Sequence, residues 1–191
     1  MDKYSRSTAV LKKERSFRMK QKTMTTKDIT IVGVMAALVF AATYFLKINM
    51  PLTMGYVHLG DSMIFLAVYL FGWKKGALAG AIGGAMSDLI GGYVIWIVPT
   101  FAIKFIMAMV AGLLFDLIKS KGKYLYIATY IFAGLIQVAL YSLAHLVFFG
   151  VAPAISGIPG LLGQTYSGLI IALCLIVAFE KAHVVAKIKQ M

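Results

Sequence analysis

The chain has 191 residues, of which 61% are hydrophobic and only 14% charged, and it carries a formal net charge of +12. Roughly a quarter of an ordinary soluble domain is charged, so a water-soluble enzyme is excluded, and the same composition excludes disorder over most of the length. A small polytopic membrane protein is what these numbers leave.

A bilayer core of about 30 Å takes about 20 helical residues to cross. In chain order, the sequence predicts a basic tail over 1–28 and then six spans: Ile29–Leu46, Ser62–Trp73, Gly76–Gly92, Val94–Ile118, Tyr124–Phe149 and Gly160–Phe179. The second is short and is expected to begin nearer Val57. The outer connections fall around Asn49–Gly60, Gly91–Val94 and Gly150–Pro159, and a second tail covers 182–191. Residues 29–181 then form one six-helix transmembrane domain, an all-α membrane protein.

Charge sets the orientation. Nine of the 19 Lys and Arg lie between Lys3 and Lys27, and further clusters are Lys74–Lys75, Lys119–Lys123 and Lys181–Lys189. With six spans these clusters share one side, and 17 of the 19 basic residues fall there, as the positive-inside rule requires. Both termini are therefore expected to be cytoplasmic, in a multi-pass protein of the cell membrane. The charges mark membrane ends rather than one docking face, which argues against nucleic acid. The N-terminal tail suits contact with anionic lipid, and Met1–Lys27 lacks the apolar core of a signal peptide. Cys174 is the single cysteine, so no intrachain disulfide forms and no metal site is suggested.

Function is sought where polar residues interrupt the spans, because a charge at mid-helix is costly in lipid. At 1.5 Å per residue from the cytoplasmic end of each span, Asp61, Asp88, Lys104, Gln137 and Gln164 all lie about 18–24 Å up, with Tyr141 one turn above Gln137. Tyr56, His58, Tyr93, Trp96 and His145 lie above them. An aromatic-lined cavity in the outer half of the membrane, open to the outside, accounts for this convergence and suits a small polar or aromatic ligand. Blander readings stand beside it. Asp88 and Lys104 could neutralise one another between adjacent helices, and Asp61 follows Gly60 as a helix N-cap would. Gln137 and Gln164 could bridge helices, Tyr93 and Trp96 could belong to an interfacial belt, and Asp116 beside Lys119 reads as an interfacial charge.

Small residues recur at spacing four. Gly33, Ala37 and Ala41 form such a stripe in the first span, and Gly76, Gly80 and Gly84 another in the third, beside Ala77, Ala81 and Ala85. Stripes of this kind let helices approach closely in lipid. The third-span stripe reads as packing inside the bundle, while the first could equally face a partner. The chain has no Gly-x4-Gly-Lys-Ser/Thr phosphate loop, no His-Glu-x-x-His helix and no Ser-His-Asp order. An aspartyl pair of Asp61 and Asp88 lacks the flanking residues of intramembrane proteolysis, so catalysis is not expected.

His58-Leu59-Gly60-Asp61, then Ser87-Asp88-Leu89-Ile90-Gly91-Gly92-Tyr93, then Trp96-x2-Pro99-Thr100-Phe101-x2-Lys104 together carry a family resemblance. From Asp28 to Phe179 the chain resembles the S component of an energy-coupling factor (ECF) transporter, the substrate-binding subunit of vitamin importers, in the group of riboflavin-type, pyridoxine and hydroxymethylpyrimidine S components. The resemblance implies high-affinity binding of a vitamin from outside, in a cavity capped by the first outer loop. It implies no ATPase and no cofactor in this chain; a shared transmembrane scaffold and two ATP-using subunits are the partners, with Gly33, Ala37 and Ala41 as the docking stripe. The Asn49–Gly60 loop, hinged at Pro51, Gly55 and Gly60, would be the lid. The aromatics favour a flat ring, and the absence of an outer arginine favours pyridoxine or a hydroxymethylpyrimidine over folate. The alternative is a stand-alone secondary transporter or channel with Asp88 and Lys104 as a proton or ion relay.

Overall fold

The computed structural model describes residues 24–50, 55–118, 123–183 and 185. The expected tail contacts of residues 1–23 lie outside them. The chain divides into two compact units within its first helix, residues 1–30 and 31–191. In the first unit, Thr25 and Asp28 cap the start of helix α1 (Thr26–Tyr44) reciprocally: the Thr25 N–H donates to Asp28 Oδ2 at 3.0 Å, and the Asp28 N–H to Thr25 Oγ1 at 3.2 Å.

In the second unit α1 leads into a hairpin of β1 (Lys47–Met50) and β2 (Gly55–His58), antiparallel with Lys47 opposite His58 and Asn49 opposite Tyr56. Five helices follow: α2 (Asp61–Phe71), α3 (Trp73–Gly91), α4 (Ile97–Ile118), α5 (Tyr126–Phe149) and α6 (Val151–Lys181). Among the described residues, four segments are long and apolar enough to cross a membrane: Thr26–Tyr44, Val94–Ile118, Tyr126–Phe149 and Val151–Lys181.

α2 is the hub of the core. A helix apolar all round must be covered on every side, and Ile64, Phe65, Leu66, Ala67 and Val68 are all buried. Ala67 packs with Val32, Met35 and Ala36 of α1 and Ala79 of α3, and the other four pack with Ala77 of α3, Met107 and Ala111 of α4, Tyr130 and Ala133 of α5, and Leu169 and Ala172 of α6. The Tyr130 ring stacks on Phe65 at 4.8 Å and its hydroxyl donates to the Phe65 carbonyl at 3.1 Å. Glycines set the closest approaches, as small residues do between helices in lipid. A Cβ on Gly76 would lie 2.6 Å from Val68, one on Gly80 3.0 Å from Ile64, and one on Gly84 3.0 Å from Thr100. The third-span stripe therefore packs inside the bundle. On α1, Gly33 and Ala37 are exposed, and a Cβ on Gly33 would meet nothing within 4 Å. Large apolar residues such as Val98, Leu117 and Val147 are exposed as well, while Asp61 and Lys104 are fully buried. That is the inside-out pattern of a lipid-facing bundle.

Two segments differ from the sequence expectation. The second helix begins at Asp61 and not near Val57, because Gly55–His58 pairs as a strand with Lys47–Met50. Residues 150–159, expected as an outer connection, are the start of α6. Gly150, at φ 86°, ends α5, and Val151 opens the next helix at once. Pro153 falls in the first turn, where backbone N–H groups have no partner within the helix, and Pro159 removes one ladder bond without ending the helix.

Candidate functional site

Local backbone rules place the site's side chains. α3 ends in a Schellman motif: Gly92 takes the left-handed conformation (φ 81°), its N–H donates to the Leu89 carbonyl at 3.4 Å, and the Tyr93 N–H donates to the Asp88 carbonyl at 2.8 Å. Asp88 and Tyr93 are thereby fixed within one turn, and the 3₁₀ turn Val94–Trp96 swings Trp96 inward. On the hairpin, Asn49 and Tyr56 are paired; Tyr93 Oη donates to Asn49 Oδ1 at 3.0 Å and Tyr56 Oη to Asp88 Oδ1 at 2.6 Å. The hairpin is thus pinned to the end of α3 by both tyrosines, whose rings lie 4.7 Å apart. Burial, then the Asp88 charge, raises the Tyr56 hydroxyl above its ordinary pKa, so it stays a donor. Lys47 sits over the rings of Tyr44, Tyr56 and Tyr93 at 4.4, 5.3 and 5.4 Å.

Between the hairpin and the helices lies a cavity of about 40 Å³. Tyr56 and His58 of the hairpin, Asp88, Trp96, Thr100 of α4, Tyr141 and His145 of α5, and Gln164 of α6 line it, together with Met50, Gly157 and Leu161. Trp96 packs on His145 at 4.6 Å and on Tyr141 at 6.0 Å. Among the described residues, two buried wall atoms, Asp88 Oδ2 and His145 Nε2, have no hydrogen-bond partner within 3.5 Å, although the Thr100 hydroxyl also interacts with the Asp88 side chain.

Next to this cavity is a buried polar cluster centred on Asp61. Lys104 Nζ donates to Asp61 Oδ1 at 2.5 Å and to Gln137 Oε1 at 3.0 Å. Gln137 Nε2 donates to Asp61 Oδ2 at 2.6 Å and to Thr165 Oγ1 at 2.8 Å, and Gln164 Nε2 to Asp61 Oδ2 at 3.2 Å. Gln164 Oε1 in turn accepts the backbone N–H of His58 at 3.3 Å. Gln164 therefore touches the hairpin, the cavity and the ion pair. A buried carboxylate taken out of water needs this many partners to persist as an ion.

Seven of the ten residues expected to bind substrate line the cavity: Tyr56, His58, Asp88, Trp96, Tyr141, His145 and Gln164. Lys104 and Gln137 lie in the Asp61 cluster, and Tyr93 braces the hairpin through Asn49. The mutual neutralisation of Asp88 and Lys104 is corrected: the lysine's ion pair is with Asp61, because α2 runs through the middle of the bundle and carries Asp61 to it. Asp61 is the first residue of α2 and Gly60 its N-cap, so Asp61 is not the cap, and its side chain is held by Lys104, Gln137 and Gln164. Sequence reasoning missed Thr100, which lies one turn before Lys104 and accepts the Tyr141 hydroxyl at 3.2 Å, and Gly157 and Leu161, which the loop reading of 150–159 hid or left out of the site.

Residues 23–181 match the family described as the ECF-type riboflavin transporter, S component. The chain belongs to this family. It is a multi-pass membrane protein and a transporter substrate-binding subunit, of the vitamin type that family represents. Over 133 residues the S component is also 32% identical to a protein of Pyrococcus woesei described as an "Uncharacterized protein in gap 3'region", covering 70% of this chain and 88% of that one.

Proposed function

We infer that this S component takes a small heterocyclic vitamin or precursor, pyridoxine or a hydroxymethylpyrimidine, in the cavity behind the hairpin. The observation that carries this reading is a wall of Tyr56, Trp96 and Tyr141 around about 40 Å³ of free space, into which Asp88 and His145 bring buried polar atoms without partners. Aromatic faces suit a flat ring, and unsatisfied buried polar atoms are stabilised by a ligand that completes them.

The chain would cross the cell membrane six times with both termini cytoplasmic, and deliver its ligand by docking on a shared transmembrane subunit that joins two ATPases. The exposed small stripe of Gly33, Ala37 and the half-buried Ala41 supports α1 as the docking face. The relay alternative loses support, since Lys104 pairs with Asp61 and not with Asp88.

Mass spectrometry of the ligand retained through purification, together with thermal stabilisation by a vitamin panel, tests the reading. Pyridoxine or the pyrimidine should give the largest shift. The family's description gives riboflavin as the second candidate, and a larger shift with riboflavin would replace the ring choice made here. Uptake by this chain alone in liposomes, driven by a proton gradient, would remove the S-component mechanism.

A further inference from the structure

The two unpartnered wall atoms have the same hydrogen-bonding character. His145 Nδ1 lies 2.8 Å from the Tyr141 carbonyl oxygen, which can only accept, so Nδ1 carries a proton, and in a neutral imidazole Nε2 is then the acceptor. As a carboxylate, Asp88 presents Oδ2 as an acceptor too, while Oδ1 takes the Tyr56 hydroxyl. The cavity also has no cation of its own: neither Lys nor Arg is among its described lining residues. The nearby ammonium groups are engaged elsewhere, Lys104 with Asp61 and Gln137, and Lys47 over three tyrosine rings.

We propose that this cavity selects a ring that brings hydrogen-bond donors and no negative charge, so that it takes the free alcohol of a heteroaromatic vitamin and rejects the phosphate ester of the same molecule. The inference rests on the reading of the cavity as the vitamin site and adds a charge and donor rule to it. A phosphate monoester carries about −1.5 to −2 charges at pH 7. Placed here it would face the Asp88 carboxylate with no guanidinium or ammonium among the described lining residues, and Lys104 and Lys47, each 5.3 Å from a wall tyrosine ring, are already engaged with other groups; a buried charge without a partner is strongly disfavoured. An amino, hydroxyl or protonated ring nitrogen would instead complete Asp88 Oδ2 and His145 Nε2.

Titration calorimetry on the detergent-purified chain tests this with three matched pairs: hydroxymethylpyrimidine and its monophosphate, pyridoxine and pyridoxine 5′-phosphate, and riboflavin and its 5′-phosphate. For the pair that binds, the ester should be weaker by about a hundredfold or more, the scale of an unpaired buried charge. An ester that binds as tightly as its alcohol overturns the charge rule and leaves the vitamin reading standing. No binding by any of the six compounds overturns both. Asp88→Asn keeps the shape and removes the charge, so it should weaken the alcohol and narrow the gap to its ester by about tenfold. Equal weakening of alcohol and ester would show that Asp88 only holds the hairpin, and would also overturn the rule. The comparison of alcohol and ester on the unaltered chain decides the matter if the variant does not fold.

Discussion

Lys104 Nζ lies 2.5 Å from Asp61 Oδ1, and neither side chain is exposed to solvent. Removing one member of such a pair strands the other charge, which typically costs about 3–5 kcal/mol, whereas replacing both can be nearly neutral. Lys104→Met should therefore lower unfolding stability in detergent by about that amount, and Asp61→Asn with Lys104→Met should recover much of it. Denaturant or thermal unfolding of Lys104→Met, Asp61→Asn and the double variant reads the coupling. Additive losses would mean that the two residues act separately.

His58 gives a pH dependence. Burial, reinforced by the Lys104 charge and only partly opposed by Asp61, pushes its pKa from 6.5 down to about 3, and Nδ1 accepts the Gly60 N–H at 2.9 Å. Between those two pH values the unfolded chain binds a proton that the folded chain refuses. This contribution to stability is fully present above about pH 6.5 and is lost as the pH falls toward 3, by at most about 1.4 kcal/mol per pH unit. The melting temperature should drop on acidification, and His58→Asn, which retains an acceptor for Gly60, should flatten the profile. Parallel profiles would assign the acid sensitivity to other groups.

Two glycines should behave oppositely. A Cβ at Gly83 would lie 2.5 Å from the Ala36 carbonyl and 2.8 Å from Val39, so Gly83→Ala must push α1 off α3 and destabilise by about 1–3 kcal/mol. Gly33 faces open space. Gly33→Leu should leave stability and ligand binding unchanged while preventing assembly with the transmembrane partner, scored by co-purification. Loss of ligand binding in Gly33→Leu would place that stripe inside the fold.

Tyr56→Phe removes the hydroxyl that donates to Asp88 Oδ1, a hydrogen bond to a charged group worth about 1.5–3 kcal/mol. The hairpin should loosen, so amides of Gly55–His58 should exchange faster by mass spectrometry with the helices unchanged. Unaltered exchange would mean that Tyr93 and Asn49 hold the hairpin by themselves.

Much of this was legible in the sequence. Matching depths on separate helices brings Asp88, Tyr141 and Gln164 to one cavity, because each helix rises by a fixed amount per residue and the polar side chains must meet somewhere dry, and the residues read as lying above that level include Tyr56, His58, Trp96 and His145 of the same cavity. Depth is blind to rotation about the helix axis and to which helices are neighbours. It therefore put Asp61, Asp88 and Lys104 on one level without saying that Asp61 is the partner of Lys104. The hairpin was hidden for another reason: Lys47–Met50 and Gly55–His58 are four residues each, too short for alternation to outweigh the apolar run of the preceding span. Pro153 and Pro159 read as loop residues, yet one falls in the first turn of α6 and the other is carried by the helices around it.

The unequal helices have a consequence for the lipid. α2 has 11 residues and α6 has 31, about 16 and 46 Å of helix beside a hydrocarbon layer of about 30 Å. No flat slab matches both. α6 must tilt or project beyond the acyl chains, and next to α2 the bilayer must thin or be replaced by neighbouring protein. Acyl-chain length thus becomes a mechanical variable for this subunit: thicker membranes increase the mismatch at α2, and thinner ones increase it at α6.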